Sequence, residues 1–211
     1  MFSKRSFRLG VLGSGKGSNL ASIARACAED RLPAVVALVL SDVPEAGILD
    51  KARAEGVPGR FLAPGRYRTR LDTEAEAAYV AALQEAEVDW VVLAGFMRIL
   101  GAGFLRAFPH RILNIHPSLL PAFPGLESWR QALDYGVKLT GCTVHFVDAG
   151  IDTGPIVAQK AVPVRDTDTP ETLHTRIQEA EREVYPEAIR RVLAMAWRLE
   201  GRRVVKMGNE V

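Results

Sequence analysis

The stretch FRLGVLGSGKGSNLASIARACAED, residues 7–30, decides the fold. Its first six residues form an apolar run suited to a buried strand, and from Ser18 onward apolar residues recur at helical spacing. Between the two lies a loop with glycines at 13, 15 and 17. A strand that turns through glycines directly into a helix is the repeating unit of parallel α/β sheets. The loop comes within one residue of the nucleoside triphosphate signature, which is Gly, four residues, Gly-Lys, then Ser or Thr. Gly10, Gly15 and Lys16 fit it, but Gly17 occupies the hydroxyl position and Ser18 arrives one residue late. The dinucleotide fingerprint fails as well, because position 18 would have to be glycine. The glycines still let the backbone come close to an anion. A helix starting near Ser18 would aim N–H groups and a positive dipole end at it. Gly17, Ser18 and Asn19 are therefore candidate contacts for a single phosphate, with Lys16 as an optional helper. A plain strand-to-helix turn is the alternative.

Outward from this unit, strands are expected at 33–42, near 59–63, and at 89–95, 111–116, 141–148 and 155–164. Helical patterns cover 45–56, 73–87 and a long span from Pro170 to Leu199, while the last dozen residues fit either a strand or a tail. This alternation predicts an α/β fold: one doubly wound, mostly parallel sheet with helices on both faces. No linker or repeat divides the chain, so residues 1–211 are read as a single domain. Its phosphate-binding half would cover about 1–105 and its second half about 106–195. Ligands of such sheets bind at the carboxyl ends of the strands. The loops beginning near Gly13, Gly95 and Pro117 are expected to share that rim.

Composition narrows the partners. Of 211 residues 48% are apolar and 25% charged, and no apolar run approaches a membrane span. A net charge of +2, with the basic residues dispersed, does not suggest a nucleic-acid surface. Arg190-Arg191 and Arg202-Arg203 read as solvated faces. Two cysteines, Cys27 and Cys142, make neither a disulfide framework nor a metal cluster. The basic start MFSKRSF is followed by too short an apolar run for a signal peptide. The expectation is a cytoplasmic protein with reduced thiols.

The chemistry-bearing residues cluster later in the chain. In RILNIHPSLLPAFPG, an extended 111–116 would point Asn114 and His116 to the same side. Two such donors at a strand's carboxyl end suit the stabilisation of an oxyanion. Pro117, Pro121 and Pro124 would stiffen the loop that follows, and a cis X-Pro bond is compatible with it. His116 as a satisfied strand-end histidine is the competing reading. In TVHFVDAGIDTGPI a loop carries Asp152, whose carboxylate beside His116 would favour imidazolium. His145 reads as a core or supporting residue, and His110 and His174 as surface or helix residues. No HExxH, C-x-x-C, EF-hand, G-x-S-x-G or Cys-His pattern is present, so no metal and no covalent nucleophile is expected. Donors and an acid without a nucleophile suggest that one substrate attacks the other directly.

The segments GSGKGSNL, VVLAGFMRIL, ILNIHPSLLPAFPGL and GCTVHFVDAGIDTGPIVAQ closely resemble the phosphoribosylglycinamide (GAR) formyltransferase family, from about Arg8 to Pro186. The resemblance implies a Rossmann-like fold. It also implies formyl transfer from 10-formyltetrahydrofolate, as co-substrate, to the amine of GAR in purine biosynthesis. By the same resemblance Asn114, His116 and Asp152 match the catalytic trio, and Gly17, Ser18 and Asn19 the phosphate contacts. Glu181 matches a carboxylate that holds the ribose hydroxyls. Met97, Arg98, Ile99 and Leu100 match the folate pterin segment, to which Asn114 also belongs, and Arg70 matches a folate-contacting arginine. Arg68 nearby leaves that last register open. The implied partners are small molecules, with neither nucleic acid nor membrane, and a homodimer is compatible with the chain.

Three related chemistries compete. A methionyl-tRNA formyltransferase would need a further C-terminal domain and a basic surface. A formyltetrahydrofolate deformylase would use water as acceptor and carry an N-terminal regulatory domain. A sugar-nucleotide formyltransferase would be expected to lack the phosphate loop. A non-catalytic ribonucleotide- or folate-binding module would have no need of the Asn114, His116 and Asp152 set.

Overall fold

Strand β1 (Phe7–Leu12) buries its last four residues on both faces, as a central strand of a parallel sheet must. It runs into α1 (Ser18–Ala28), as the opening stretch predicts. The remaining elements follow in alternation: β2 (Ala34–Ser41), α2 (Gly47–Ala54), β3 (Gly59–Phe61), α3 (Thr73–Glu85), β4 (Trp90–Leu93), α4 (Ala102–Ala107) and β5 (Ile112–His116). Then come α5 (Ser128–Tyr135), β6 (Leu139–Phe146), β7 (Ile156–Pro163), α6 (Pro170–Ala194), β8 (Trp197–Glu200) and β9 (Arg203–Lys206). The structure, a computed structural model, describes residues 6–194 and 196–207. The basic start at 1–5, and the end of the tail at 208–211, lie outside the described residues.

The strands form a single mixed, mostly parallel sheet in the order β3-β2-β1-β4-β5-β6-β7-β9-β8. The expected α/β class is the observed one. Within the chain two compact units divide between Leu113 and Asn114. In the first, β1 pairs in parallel with both β2 and β4, and β2 with β3. Its core is built from Leu9, Val11, Ile23, Leu40, Ile48, Tyr79, Leu83 and Val92, all fully buried. Each such side chain contributes about 1.5–3 kcal/mol on leaving water. In the second unit β6 and β7 are antiparallel, and α6 lays Ile177, Ala180, Val184, Ala188, Ile189 and Val192 along one buried stripe. That stripe carries the helix through Pro186, which in an exposed helix would cost about 3 kcal/mol.

Two helices and a hairpin depart from the sequence reading. Helix α4 has only Phe104 buried, and its N-terminus is capped from another helix. Glu76 of α3 accepts from the backbone N–H of Gly101 at 2.5 Å and of Phe104 at 3.0 Å. Helix α5 starts at an unusual N-cap, Glu127 at φ 51°, and buries only Ser128 and Ala132. Neither gives a periodic signal long enough to detect. The long helix stops at Ala194 rather than running on to Leu199, and 197–206 form the β8–β9 hairpin. Trp197 draws this segment down: its ring lies 4.9 Å from that of Phe146, and its indole N–H donates to the Val192 carbonyl at 2.9 Å.

Candidate active site

The glycine loop lies in the first unit, between β1 and α1. Gly17 is the N-cap of α1, at φ 74°, and a Cβ there would sit 2.7 Å from Ile48 Cα. Only glycine serves at that point. No side chain caps the helix, and Ser18 is its first helical residue rather than its cap. The loop before α1 exposes Gly15 and Lys16, and the positive end of the helix dipole lies at its end. This is the electrostatic arrangement that an anionic group requires.

The 97–100 segment follows β4 in the same unit. Met97 and Ile99 expose 57% and 46% of their surface, while Leu100 is buried in the core. Arg70 forms a parallel bridge with Ile99, and the Ile99 N–H donates to the Thr69 carbonyl at 2.9 Å. Arg68 is engaged differently: its carbonyl accepts from the Arg98 guanidinium. The structure thus brings the Arg70 backbone beside Ile99, with the Arg70 guanidinium 4.3 Å from the centre of the Tyr67 ring. Arg98, in contrast, is turned into the protein, with Nε 2.7 Å from Asp42 Oδ2.

In the second unit, β5 carries Asn114 and His116, two residues apart. Asn114 Nδ2 lies 3.1 Å from His145 Nε2, and His145 Nδ1 lies 2.8 Å from the Phe146 carbonyl oxygen. A carbonyl only accepts, so Nδ1 carries the proton and Nε2 accepts from the Asn114 amide. Burial holds the His145 pKa below the ordinary histidine value, against the pull of the Asp152 carboxylate, and the neutral ring fits this pattern. His116 is enclosed on both sides. Its Nε2 lies 2.9 Å from the Phe123 carbonyl oxygen and its Nδ1 3.3 Å from Asp152 Oδ2. Asp152 also accepts from the Gly125 N–H at 2.8 Å.

Both partners of His116 sit on strained backbone. Phe123 has φ 53° and Asp152 φ 54°, in the left-handed region that non-glycine residues rarely enter. Each costs about 1–3 kcal/mol and persists only where the surroundings impose it, a pattern that concentrates at functional sites. The Asp152 loop is pressed against β6, since a Cβ on Gly154 would overlap the Phe146 carbonyl oxygen. The Leu120-Pro121 peptide bond in the proline loop is cis, as the sequence allowed.

Glu181, on α6, belongs to this second unit and is 7% exposed. Burial, with the Glu181 charge adding to it, pushes the Cys142 thiol up to about 12, and burial pushes Cys27 to about 11. Neither is a thiolate near neutrality, so neither offers a nucleophile. Among the described residues, no group of three or more His, Cys, Asp and Glu side chains is arranged to hold a metal ion. Nor is any helix long and apolar enough to cross a membrane. Sequence reasoning missed the Phe123 carbonyl and the Gly125 amide, backbone groups to which no side-chain pattern points.

Residues 7–189 match the formyl transferase family. The chain belongs to that family and, within it, to the phosphoribosylglycinamide formyltransferases. It is 41% identical to the phosphoribosylglycinamide formyltransferase of Bacillus subtilis over 188 residues, which cover 89% of this chain and 95% of that one. With the human trifunctional purine biosynthetic protein adenosine-3 it shares 42% identity over 191 residues, 90% of this chain but 19% of that longer protein. The crystal structure of glycinamide ribonucleotide transformylase 1 from Symbiobacterium toebii superposes with a TM-score of 0.93 at 50% identity, covering 99% of this chain and 98% of that one. The chain is accordingly an enzyme of one-carbon transfer.

Proposed function

We propose that this enzyme moves the formyl group of 10-formyltetrahydrofolate to the amine of phosphoribosylglycinamide, in a cytoplasmic step of purine biosynthesis. The kinship with phosphoribosylglycinamide formyltransferases along nearly the whole chain supports the substrate pair. The observation that carries the mechanism is the linked set of Asn114, His116, His145 and Asp152, in which the two histidines are buried. An amide NH2 has two hydrogens, and His145 takes one of those of Asn114. The second is offered to the formyl oxygen.

The amine nitrogen attacks the formyl carbon, and the carbonyl electron pair moves onto oxygen. Asn114 and the Nε2–H of His116, exchanging the Phe123 carbonyl for the ligand, stabilise that oxyanion. The carbonyl then re-forms, the bond from carbon to the folate N10 breaks, and the electron pair leaves with N10. The proton lost by the amine balances the proton gained by N10, relayed through His116 or a water. Asp152 balances the charge on His116 through Nδ1. Gly17, Ser18 and Asn19 hold the phosphate, Glu181 the ribose hydroxyls, and Arg70 with Met97, Ile99 and Leu100 the folate.

The test is one assay with both substrates, each omitted in turn. Folate product that forms only when both are present supports this reading. Turnover without phosphoribosylglycinamide would assign a hydrolase instead, and binding of either ligand without turnover a non-catalytic module.

A further inference from the structure

We propose that Asp42 is a positioning residue that sets both ligand-binding segments of the first unit from one buried carboxylate. The inference rests on the binding roles given above to the glycine loop and the 97–100 segment. Asp42 follows the last residue of β2, and its side chain is 2% exposed. Oδ1 accepts from the Ser14 hydroxyl at 2.5 Å, and Oδ2 from Arg98 Nε at 2.7 Å. The Ser14 hydroxyl oxygen in turn accepts from the Met97 N–H at 2.9 Å. Arg98 continues the chain by donating to the carbonyls of Tyr67, at 2.9 Å, and Arg68. One carboxylate thus reaches the glycine loop, the 97–100 segment and the stretch that leads to Arg70.

Directionality gives this network its content. An ionised carboxylate only accepts, so the Ser14 proton has to point at Asp42. That leaves the lone pairs of Ser14 for the Met97 N–H. A buried ion pair is a poor source of stability, because an apolar pair of the same volume serves as well or better. What the Asp42–Arg98 pair supplies, and an apolar pair would not, is the orientation of Ser14 and of the 97–100 backbone. Asparagine at position 42 would keep the shape but turn an NH2 toward either Ser14 or Arg98. Each choice breaks the donor order.

The test uses Asp42→Asn and Ser14→Ala in the full chain, with folding checked by circular dichroism. In each variant, KM for phosphoribosylglycinamide and KM for 10-formyltetrahydrofolate should rise together by about tenfold, with kcat changed less. The double variant should be no worse than the more severe single one, because the two residues act along one path. Amide hydrogen exchange supplies a readout independent of turnover. Protection of the Met97 N–H should fall about tenfold in Asp42→Asn, although that substitution leaves its acceptor, Ser14, in place. If the wild-type protein does not turn over the two substrates, the functional reading fails while the exchange result still decides the role of Asp42. Unchanged Met97 protection in a folded Asp42→Asn variant overturns the proposal. So does a rise in only one of the two KM values.

Discussion

Asn114 and His145 lie on neighbouring strands, with the amide nitrogen of one 3.1 Å from the ring Nε2 of the other. The contact sets two things together. It fixes which way the Asn114 amide faces, and it requires His145 to keep its proton on Nδ1, against the Phe146 carbonyl. A charged His145 would have a donor on Nε2 and would push the amide round. The buried neutral ring is therefore part of how Asn114 is aimed.

A stability prediction follows from that neutral ring. Its pKa is depressed from 6.5 mainly by burial, so below that value the unfolded chain takes up a proton that the native ring refuses. The unfolded state binds more protons over that interval. Stability should therefore fall as pH drops below about 6.5 and level off beneath the native pKa. The slope from this one group is at most ~1.4 kcal/mol per pH unit. Urea midpoints measured across this range should fall less steeply for His145→Gln, and an equally steep fall in the variant would contradict the assignment.

Removing an oxyanion donor should act on turnover rather than on binding. Asn114→Ala and His116→Ala are each expected to lower kcat by roughly 10²–10³, with KM for both substrates little changed. Near-normal turnover in His116→Ala would sink its catalytic role.

Asp152 supports His116 and the Gly125 amide from one oxygen, at 3.3 and 2.8 Å. Asp152→Asn should cost roughly 10- to 100-fold in kcat, the range for a hydrogen bond to a charged group. A variant that shows only a raised KM would mean that the carboxylate orders the loop and does nothing for the histidine.

The glycine loop offers an internal control. Gly17→Ala places a Cβ 2.7 Å from the Ile48 backbone at a φ of 74°, whereas a Cβ on Gly15 meets nothing within 4 Å. The first substitution should destabilise the protein by about 1–3 kcal/mol and raise KM for phosphoribosylglycinamide. Gly15→Ala should melt close to wild type. Matching thermal midpoints for the two variants would refute the steric account.

Local rules were sufficient for much of this molecule. The strand-loop-helix order of residues 7–30, the buried strands around Val91 and Ile115, and the alternation that yields a parallel sheet all follow from periodicity and turn chemistry. The residue types at Asn114, His116 and Asp152 suggest an oxyanion site from the sequence alone, and the fold sets His116 against Asp152 and Asn114 against His145. Short helices escaped these rules. Helix α4 depends on Glu76 from a different helix, and α5 begins at a glutamate in a left-handed conformation.

Tertiary structure alone decided the rest. It turned Arg98 inward to Asp42, made Arg70 rather than Arg68 the bridge partner of Ile99, and ended the last helix where Trp197 could reach Phe146. It also gave His116 its two acceptors and His145 its tautomer. The reason is the same in each case. Periodicity and capping are written in neighbouring residues, so a sequence displays them directly. A buried hydrogen bond joins groups that lie far apart in the chain, and its partner is chosen by which donors and acceptors the folded backbone brings within reach.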